Sequence, residues 1–226
     1  MNYKRKVITL VATRPDIIKL SRIINKTDKF FENIIVNTNQ NFNYELNEIF
    51  FKELKIKKPK YSFKSKNKTP IQNISEMLTE FDKICENEKP EALIILGDTN
   101  SSLLSYVAKR KKIPIFHLEA GNRCHDQRVP EEINRKIVDH LSDINLTYSK
   151  IAKENLILEG FPEDQIFNIG SPIREVYNFY KKYIKKSKIL KKLSLTKNSY
   201  FLISFHREEN VESTKKLMLF LNFWNI

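Results

Sequence analysis

The chain has 226 residues, 41% of them hydrophobic, which is enough for one large globular domain, or roughly one and a half ordinary ones, with a sizeable core. Forty Lys and Arg against 27 Asp and Glu give a net charge of +13, a balance that attracts polyanions such as nucleotide diphosphates, nucleic acids or anionic membranes. Cys85 and Cys124 lack the paired spacing of a zinc ribbon or a disulfide framework, and the N-terminal apolar run is interrupted by Arg14 and Pro15. We therefore expect a cytoplasmic protein without a membrane span.

The positive charge is concentrated in two stretches. Residues 52–68 hold eight Lys against Glu53 alone, and residues 181–197 hold eight Lys and no acid. The lysines are not interleaved with an aromatic stacking platform, and no recognition helix stands out. This pattern favours solvated faces over a nucleic-acid interface, so no nucleic-acid partner is expected.

Apolar runs rich in β-branched residues alternate with segments of helical period along most of the chain. Strands are predicted at 7–13, 33–38, 91–98, 113–120, 143–149 and 165–171. Helices are predicted between them, including one over 43–54 and one that opens at Thr69-Pro70 and carries a stripe of Ile71, Ile74, Leu78, Phe81 and Ile84. Strands that alternate with helices predict an α/β fold, a parallel sheet with helices on both faces.

The alternation changes near residue 172. We predict a first domain over 1–172, a Lys-rich helical connector over 173–197, and over 198–226 a strand at 199–205 followed by a helix, the start of a second domain. A single strand–helix unit cannot bury its own faces. It needs the first domain, another chain or a C-terminal continuation.

Four polar residues fall at or just past the C-terminal end of a predicted strand: Arg14, Asp98, Glu119 and His206. In open parallel sheets this is the edge where ligands bind. We therefore expect these residues to converge. Each also has a plainer interpretation, which for Asp98 is an N-cap and for His206 a histidine at a helix start.

Arg14 and Lys19 flank the start of a helix, where a cation opposes the macrodipole. They are either solvated surface residues or binders of a phosphate or carboxylate. Glu119 leaves an apolar run, where a carboxylate costs several kcal/mol unless it is paired. Its plainer interpretation is a salt bridge to Arg123 or Arg128.

Pro130 begins a helix with Glu131 and Glu132 in its first turn, a position that the helix dipole favours without any function. We expect Ile133, Ile137 and Leu141 to form its buried stripe, with Asn134, Arg135 and Asp139 projecting elsewhere. Four residues of this region are of types that bind metals: His117, Cys124, His125 and Asp126. Their spacing matches no standard site, so no metal is expected.

The residues together predict an electropositive cleft that contains two or three carboxylates. Such a cleft suits a reaction in which a carboxylate or His removes a proton from carbon while cations stabilise a departing phosphate ester.

Seven segments, in order, resemble the motifs of the non-hydrolysing UDP-N-acetylglucosamine 2-epimerases. They are ATRPDIIKL (12–20), TNQNFNYELNE (38–48), LGDTNSS (96–102), HLEAGNR (117–123), PEEINR (130–135), NIGSPI (168–173) and SFHREEN (204–210). The stretch from Gly121 to Leu146 is most similar to the branch that forms UDP-N-acetyl-L-fucosamine from UDP-2-acetamido-2,6-dideoxy-L-talose, in bacterial capsule and O-antigen synthesis.

The resemblance implies the N-terminal half of a GT-B-like two-domain fold with Rossmann-like halves, and a homodimer. It also implies elimination of UDP to a 2-acetamidoglycal and re-addition on the other face, without a cofactor. By position, the catalytic residues are Asp98, Glu119, Glu131 and His206, and the residues needed for binding or activity are Arg14, Lys19 and Arg135.

The chain departs from the family pattern at Ala12, Asp16, Asn41 and Phe205, which weakens UDP-N-acetylglucosamine as the substrate more than it weakens the family. Family members continue through a full second domain. Two expectations follow from this. The first is that the 226-residue chain alone has little or no epimerase activity. The second, which is the alternative function, is that the chain is an inactive fragment that acts at most as a dimerising subunit.

Overall fold

The computed structural model describes residues 4–38, 48–63, 69–203, 218–219 and 221–223. Seven strands of this part form one sheet in the order β3-β2-β1-β4-β5-β6-β7, and all neighbours pair in parallel. The strands are β1 (Lys6–Val11), β2 (Glu32–Asn37), β3 (Tyr61–Ser62), β4 (Ala92–Leu96), β5 (Ile115–Ala120), β6 (Ile144–Thr147) and β7 (Ile166–Asn168).

The connections between the strands are mostly helical. The helices are α1 (Arg14–Phe30), α2 (Glu48–Glu53), α3 (Pro70–Glu88), α4 (Ser105–Arg110), α5 (Pro130–Leu141), α6 (Lys150–Leu158), α7 (Ile173–Lys185) and α8 (Ile189–Lys192). Two short 3-10 turns, Asn100–Leu104 and Glu163–Gln165, precede α4 and β7. No helix in the described ranges combines the length and apolarity that crossing a bilayer requires.

The sheet is buried on both faces, as its continuous β-branched runs predict. On one face, side chains such as Ile8, Ile95 and Ile115 pack with Phe81 of α3 and Val138 of α5. On the other face a second cluster packs the sheet against α1 and α2; its buried members are Val11, Ile17, Leu20, Ile24, Ile35, Phe51, Ile56, Leu96 and Leu118. The prediction of a parallel sheet with helices on both faces is confirmed.

Local chemistry explains where the two long helices begin. Thr69 and Gln72 form a reciprocal capping box at the start of α3, with hydrogen bonds of 3.3 Å to the Thr69 hydroxyl and 3.0 Å to the Gln72 amide oxygen. In α1 the buried Asp16 carboxylate accepts hydrogen bonds from the backbone of Ala12 at 3.1 Å and of Thr13 at 2.9 Å. The chain therefore turns sharply from β1 into α1, which brings the start of α1 to the end of the sheet.

The strand order reverses between β1 and β4. β1 pairs with β2 on one side and with β4 on the other, so the helices that follow β1 and β4 leave the sheet in opposite directions. This switch opens a crevice at the C-terminal ends of the two strands, the usual ligand site of such sheets. Asp98 follows β4 at this point, and α1 follows β1.

Some predictions of local structure were wrong. The two-residue β3 was missed because it is too short to show a period. The helix predicted from Thr69-Pro70 does form, as α3, although Ile71 of its apolar stripe is exposed in the first turn. The predicted strand over 199–205 does not form in its described part, because residues 199–203 are neither strand nor helix and their side chains are exposed. A strand needs a neighbour for its backbone hydrogen bonds. Of the helix predicted over 43–54, residues 43–47 lie outside the described ranges.

The chain divides into two compact units, Met1–Phe179 and Tyr180–Ile226. The first unit holds the whole sheet. In the second unit the part of α7 from Tyr180 onwards and all of α8 carry a dense run of lysines, and most of their side chains are exposed. The assignment of 1–172, 173–197 and 198–226 as domain, connector and start of a second domain stays a prediction.

At the end of the sheet away from the crevice, a carboxylate of α3 joins the start of β1 to the start of the edge strand β3. Glu88 is buried and accepts hydrogen bonds from Tyr61 at 2.5 Å and Lys6 at 3.2 Å, and Lys60 lies 2.6 Å away. Burial alone would raise the pKa of Glu88, but the hydrogen bonds from Lys60, Tyr61 and Lys6 outweigh it and lower the pKa to about 2.

Glu88→Gln should lower the free energy of unfolding at pH 6 by about 1–2 kcal/mol, because charge-assisted hydrogen bonds are lost. A carboxylate with a lowered pKa in the folded state stabilises above its unfolded value of 4.5, and this contribution is lost as the pH falls towards 2. Urea unfolding at pH 6 and pH 3 should therefore show a smaller pH dependence for the variant than for the wild type. Glu86→Gln, an exposed carboxylate of the same helix that pairs with Lys111, is the control. An equal pH dependence in Glu88→Gln and the wild type would contradict this assignment.

Candidate active site

Two strands and two helices bring acidic and basic side chains together at the crevice. Asp98 lies just after β4, and Glu119 is the penultimate residue of β5. Lys19 lies on α1, and Arg135 lies on α5. These four residues were all predicted from the sequence, and the structure places them in one cluster, which we call the strand-end cluster. Its charges alternate, because each cation contacts Glu119 and Arg135 also contacts Asp98.

Arg135 is the centre of the strand-end cluster. Its guanidinium donates to the carboxylate of Asp98 and to the backbone carbonyl of Glu119, and it lies 3.6 Å from the Glu119 carboxylate. The Arg135 side chain is 7% exposed, whereas those of Asp98 and Glu119 are 24% and 17% exposed. A buried guanidinium thus holds two carboxylates that keep access to solvent.

Lys19 approaches Glu119 from the opposite side. Its ammonium pairs with Oε2 of Glu119, while Arg135 faces Oε1. Lys19 is one turn into α1, so the capped turn after β1 determines where this cation lies. Glu119 is therefore held between a cation from each of two helices.

The backbone of Glu119 is strained. Its φ is +68°, a left-handed conformation that non-glycine residues rarely adopt. The pairing of β5 with β6 shifts register between Leu118 and Ala120, so Glu119 forms a bulge. A bulge redirects one side chain out of the alternation of the strand. Here it turns a carboxylate towards Lys19 and Arg135.

The surroundings of Asp98 perturb its acidity. Burial raises its pKa, the Arg135 guanidinium opposes that rise, and the nearby Glu119 and Glu131 carboxylates add to it, so that the pKa of Asp98 is raised overall. A carboxyl group with a raised pKa exchanges protons closer to neutral pH. The same observation places Glu131 close to Asp98, on the exposed side of the first turn of α5.

Arg14 and His206 were also predicted as site residues. Arg14 is exposed at the first residue of α1. His206 lies outside the described residues. No group of three or more metal-ligating side chains occurs within the described ranges.

The plainer interpretation of Asp98 as an N-cap was wrong. Thr99 is the N-cap of the 3-10 turn that follows β4, and the Asp98 carboxylate turns to Arg135 instead. The Asp98 carbonyl accepts a hydrogen bond of 3.0 Å from the Asn134 amide, which ties the loop after β4 to α5.

The plainer interpretation of Glu119 was wrong in its partners. Arg123 pairs with Asp139 and Glu159 at 2.8 and 2.5 Å, and Arg128 pairs with Asp126 at 2.8 Å. The cations that contact Glu119 are instead Lys19 and Arg135.

The predicted orientation of α5 was also wrong. Ile133 and Ile137 are exposed, and the buried side of the helix consists of Glu132, Asn134, Arg135, Val138 and Asp139. The polar side chains are buried because each has a partner on a strand end or a loop. A helical apolar stripe predicts the buried face only where the helix packs against an apolar surface.

Sequence reasoning missed a second buried layer of charge behind the strand-end cluster. Nδ1 of His117 lies 2.9 Å from Asp139, its Nε2 lies 2.9 Å from the Gly97 carbonyl, and all three groups are buried. Asp139 also receives the Arg123 guanidinium at 2.8 Å. Burial raises the pKa of Asp139, but His117 and Arg123 outweigh this and lower it overall.

This layer fixes the backbone on both sides of the catalytic candidates. Gly97 directly precedes Asp98, and the Gly121 amide, two residues after Glu119, donates to Asp139 at 3.2 Å. Gly121 has a φ of +76°, and a Cβ there would lie 2.2 Å from the Ala152 carbonyl oxygen, so only glycine fits. No local pattern in the sequence signals this layer, because His117 and Asp139 meet only through tertiary packing.

Comparisons with known proteins place the chain in one family. The model of the family described as UDP-N-acetylglucosamine 2-epimerase matches residues 24–225. The UDP-N-acetylglucosamine 2-epimerase of Methanocaldococcus jannaschii is 37% identical over 94% of this chain and 59% of its own length. The UDP-2,3-diacetamido-2,3-dideoxy-D-glucuronate 2-epimerase of Pseudomonas aeruginosa is 34% identical over 94% of this chain and 60% of its own length. The chain thus spans about 60% of the curated relatives that it matches.

Two solved structures resemble the fold closely. The structure of UDP-N-acetylglucosamine 2-epimerase from Rickettsia bellii has a TM-score of 0.88 and 47% identity, over 99% of this chain and 61% of that one. The Methanocaldococcus jannaschii UDP-GlcNAc 2-epimerase in complex with UDP-GlcNAc and UDP has a TM-score of 0.87 and 35% identity, over 97% of this chain and 64% of that one. The predicted fold class, the N-terminal half of a GT-B-like two-domain fold, agrees with both.

Asp139→Asn should lower the free energy of unfolding by about 3–5 kcal/mol, because the buried Arg123 guanidinium would lose the charge that compensates it. Asp126→Asn is the matched control, since it also removes a carboxylate from an arginine pair, but Arg128 is 91% exposed. We expect that control to leave the unfolding free energy unchanged within error. Urea unfolding of the wild type and both variants at pH 7 measures the difference, and equal losses in the two variants would contradict the role given to Asp139.

Proposed function

The chain belongs to the UDP-N-acetylglucosamine 2-epimerase family, and from that premise we propose that the protein inverts C2 of a UDP-2-acetamido sugar. The proposed reaction begins with removal of the C2 proton while the C1–O bond to UDP breaks, which leaves a 2-acetamidoglycal. UDP then adds back to C1 as a proton reaches C2 from the opposite face. Substrate and product are isomers, so the scheme needs no redox cofactor.

The observation that carries this proposal is the strand-end cluster. Proton removal from carbon needs a carboxyl group close to the C–H bond, and loss of UDP needs positive charge close to the departing oxygen. Asp98, Glu119, Lys19 and Arg135 supply both within one set of contacts. The groups are held in place before a ligand arrives, as electrostatic catalysis requires.

The carboxyl groups have different surroundings, which supports a division of roles. Asp98, whose pKa is raised by burial despite Arg135, is suited to accept and return a proton. Glu131 is exposed near Asp98 and can serve the other face of the sugar. Glu119 lies between two cations and either takes part in proton transfer or holds Lys19 and Arg135 for the substrate.

We assign Arg14 to the diphosphate. It is exposed at the first residue of α1, where the helix dipole adds to its charge. We assign His206 to the departing diphosphate as well, on the family motif alone. Glu119 neutralises part of the charge of Lys19. We therefore assign the diphosphate to Arg14 and not to Lys19.

The substrate class is set by the 2-acetamido group that the candidates share. They are UDP-N-acetylglucosamine and UDP-2-acetamido-2,6-dideoxy-L-talose, and the Pseudomonas relative is described as acting on a diacetamido uronate sugar. We further propose a homodimer in the cytoplasm that supplies bacterial surface polysaccharide synthesis, on the family resemblance.

The test is exchange of the C2 proton in deuterated water. The chain is incubated with each candidate UDP-sugar, and the C2–H signal is followed by proton NMR. Loss of the signal with one sugar supports the proposal and identifies the substrate. No exchange with any of them, from a chain shown to be folded, would favour the alternative of an inactive, dimerising subunit.

Where exchange is seen, Asp98→Asn should slow it by about 100-fold or more, because the group that carries the proton is lost. Asp164→Asn is the matched control, an exposed aspartate in the 3-10 turn before β7, and should exchange at the wild-type rate. Circular dichroism confirms that both variants are folded. Exchange by Asp98→Asn at the wild-type rate would remove Asp98 from the mechanism.

A further inference from the structure

Tyr148 directly follows β6, at the same edge of the sheet as Glu119. Its ring packs against the cluster that contains Val11, Ile17 and Leu118, between the ends of β1 and β5 and the start of α1. The ring therefore lies beside the strand-end cluster, although neither the sequence motifs nor the proposed mechanism uses it.

The Tyr148 hydroxyl is buried and, among the residues that the structure describes, has no hydrogen-bond partner. A phenol can both donate and accept a hydrogen bond, and leaving it buried and unpaired costs about 1–3 kcal/mol. Buried tyrosines therefore usually have a partner. A ligand atom at the crevice would supply one.

The surroundings of the hydroxyl indicate what kind of atom that is. Burial raises the pKa of Tyr148, and the Glu119 and Asp16 carboxylates raise it further against a smaller opposing effect of Arg135, so the phenol keeps its proton and acts as a donor. Two nearby carboxylates disfavour a diphosphate at this place, because like charges repel. A neutral oxygen acceptor, such as those on a sugar, fits better.

We propose that Tyr148 is a substrate-contacting residue whose hydroxyl donates a hydrogen bond to an oxygen of the sugar when a UDP-2-acetamido sugar occupies the crevice. This inference rests on the proposed function and adds a residue that contacts the sugar and not the nucleotide. A buried group that must be paired discriminates against sugars that place no acceptor there.

The experiment separates sugar contact from nucleotide contact. The 226-residue chain and its Tyr148→Phe variant are titrated with UDP and with each candidate UDP-sugar, and binding is followed by NMR, which detects weak complexes. Loss of one neutral hydrogen bond should weaken binding of the UDP-sugar by about 5- to 10-fold and leave UDP binding within about twofold of the wild type. In chain labelled with ¹³C-tyrosine, the Tyr148 ring signal should shift with the UDP-sugar and not with UDP.

Tyr106→Phe is the matched control, because Tyr106 is an exposed tyrosine on α4. It should change neither binding nor thermal stability. Equal binding of the UDP-sugar by Tyr148→Phe and the wild type would overturn the inference and leave the proposed function intact. An equal weakening for UDP and UDP-sugar would also overturn it, since the ring would then act on the nucleotide or the fold. If the folded wild type bound no UDP-sugar at all, the proposed function would fail and the inference with it.

Discussion

The buried guanidinium of Arg135 is the interaction on which the site depends. It joins α5 to the ends of two strands, through the Asp98 carboxylate on one side and the carbonyl and carboxylate of Glu119 on the other. A guanidinium presents several donors in a fixed plane and stays charged, so one side chain can set the separation of two carboxylates. A lysine at this position would offer one charge and no such geometry.

Burying that charge determines the orientation of the whole helix. Because Arg135 faces inward, the neighbouring Asn134 and Asp139 face inward too, and the apolar Ile133 and Ile137 are left exposed. Asp139 then becomes the centre of the second layer, in which His117 reaches Gly97 and the Gly121 amide is held beyond Glu119. The two layers share α5, so the backbone before Asp98 and the backbone after Glu119 are fixed by a single helix.

The sequence predicted the fold class and the cluster, but not the way in which the cluster is supported. Strand period and strand ends were sufficient for Asp98 and Glu119, because a parallel sheet puts all C-terminal ends at one edge. The orientation of α5 could not be predicted, since its apolar residues have helical spacing and its polar residues are buried only through partners that are far away in sequence. The same holds for His117 and Asp139, which meet through tertiary packing. Tyr148 lacks any local signal, since its surroundings come from three separate elements.

A structural ion-pair network would explain the charges of the strand-end cluster, but not the backbone of Glu119. A salt bridge that only stabilises a fold can form from an unstrained strand residue, whereas Glu119 is held at a φ of +68° on a bulge. Strain of this kind costs about 1–3 kcal/mol and persists only where the surroundings over-determine it. Here Arg135, Lys19 and the fixed Gly121 do so together. The strain places the carboxylate at the mouth of the crevice, partly open to solvent, which is where a reacting carbon would need it and where a purely stabilising pair would gain least.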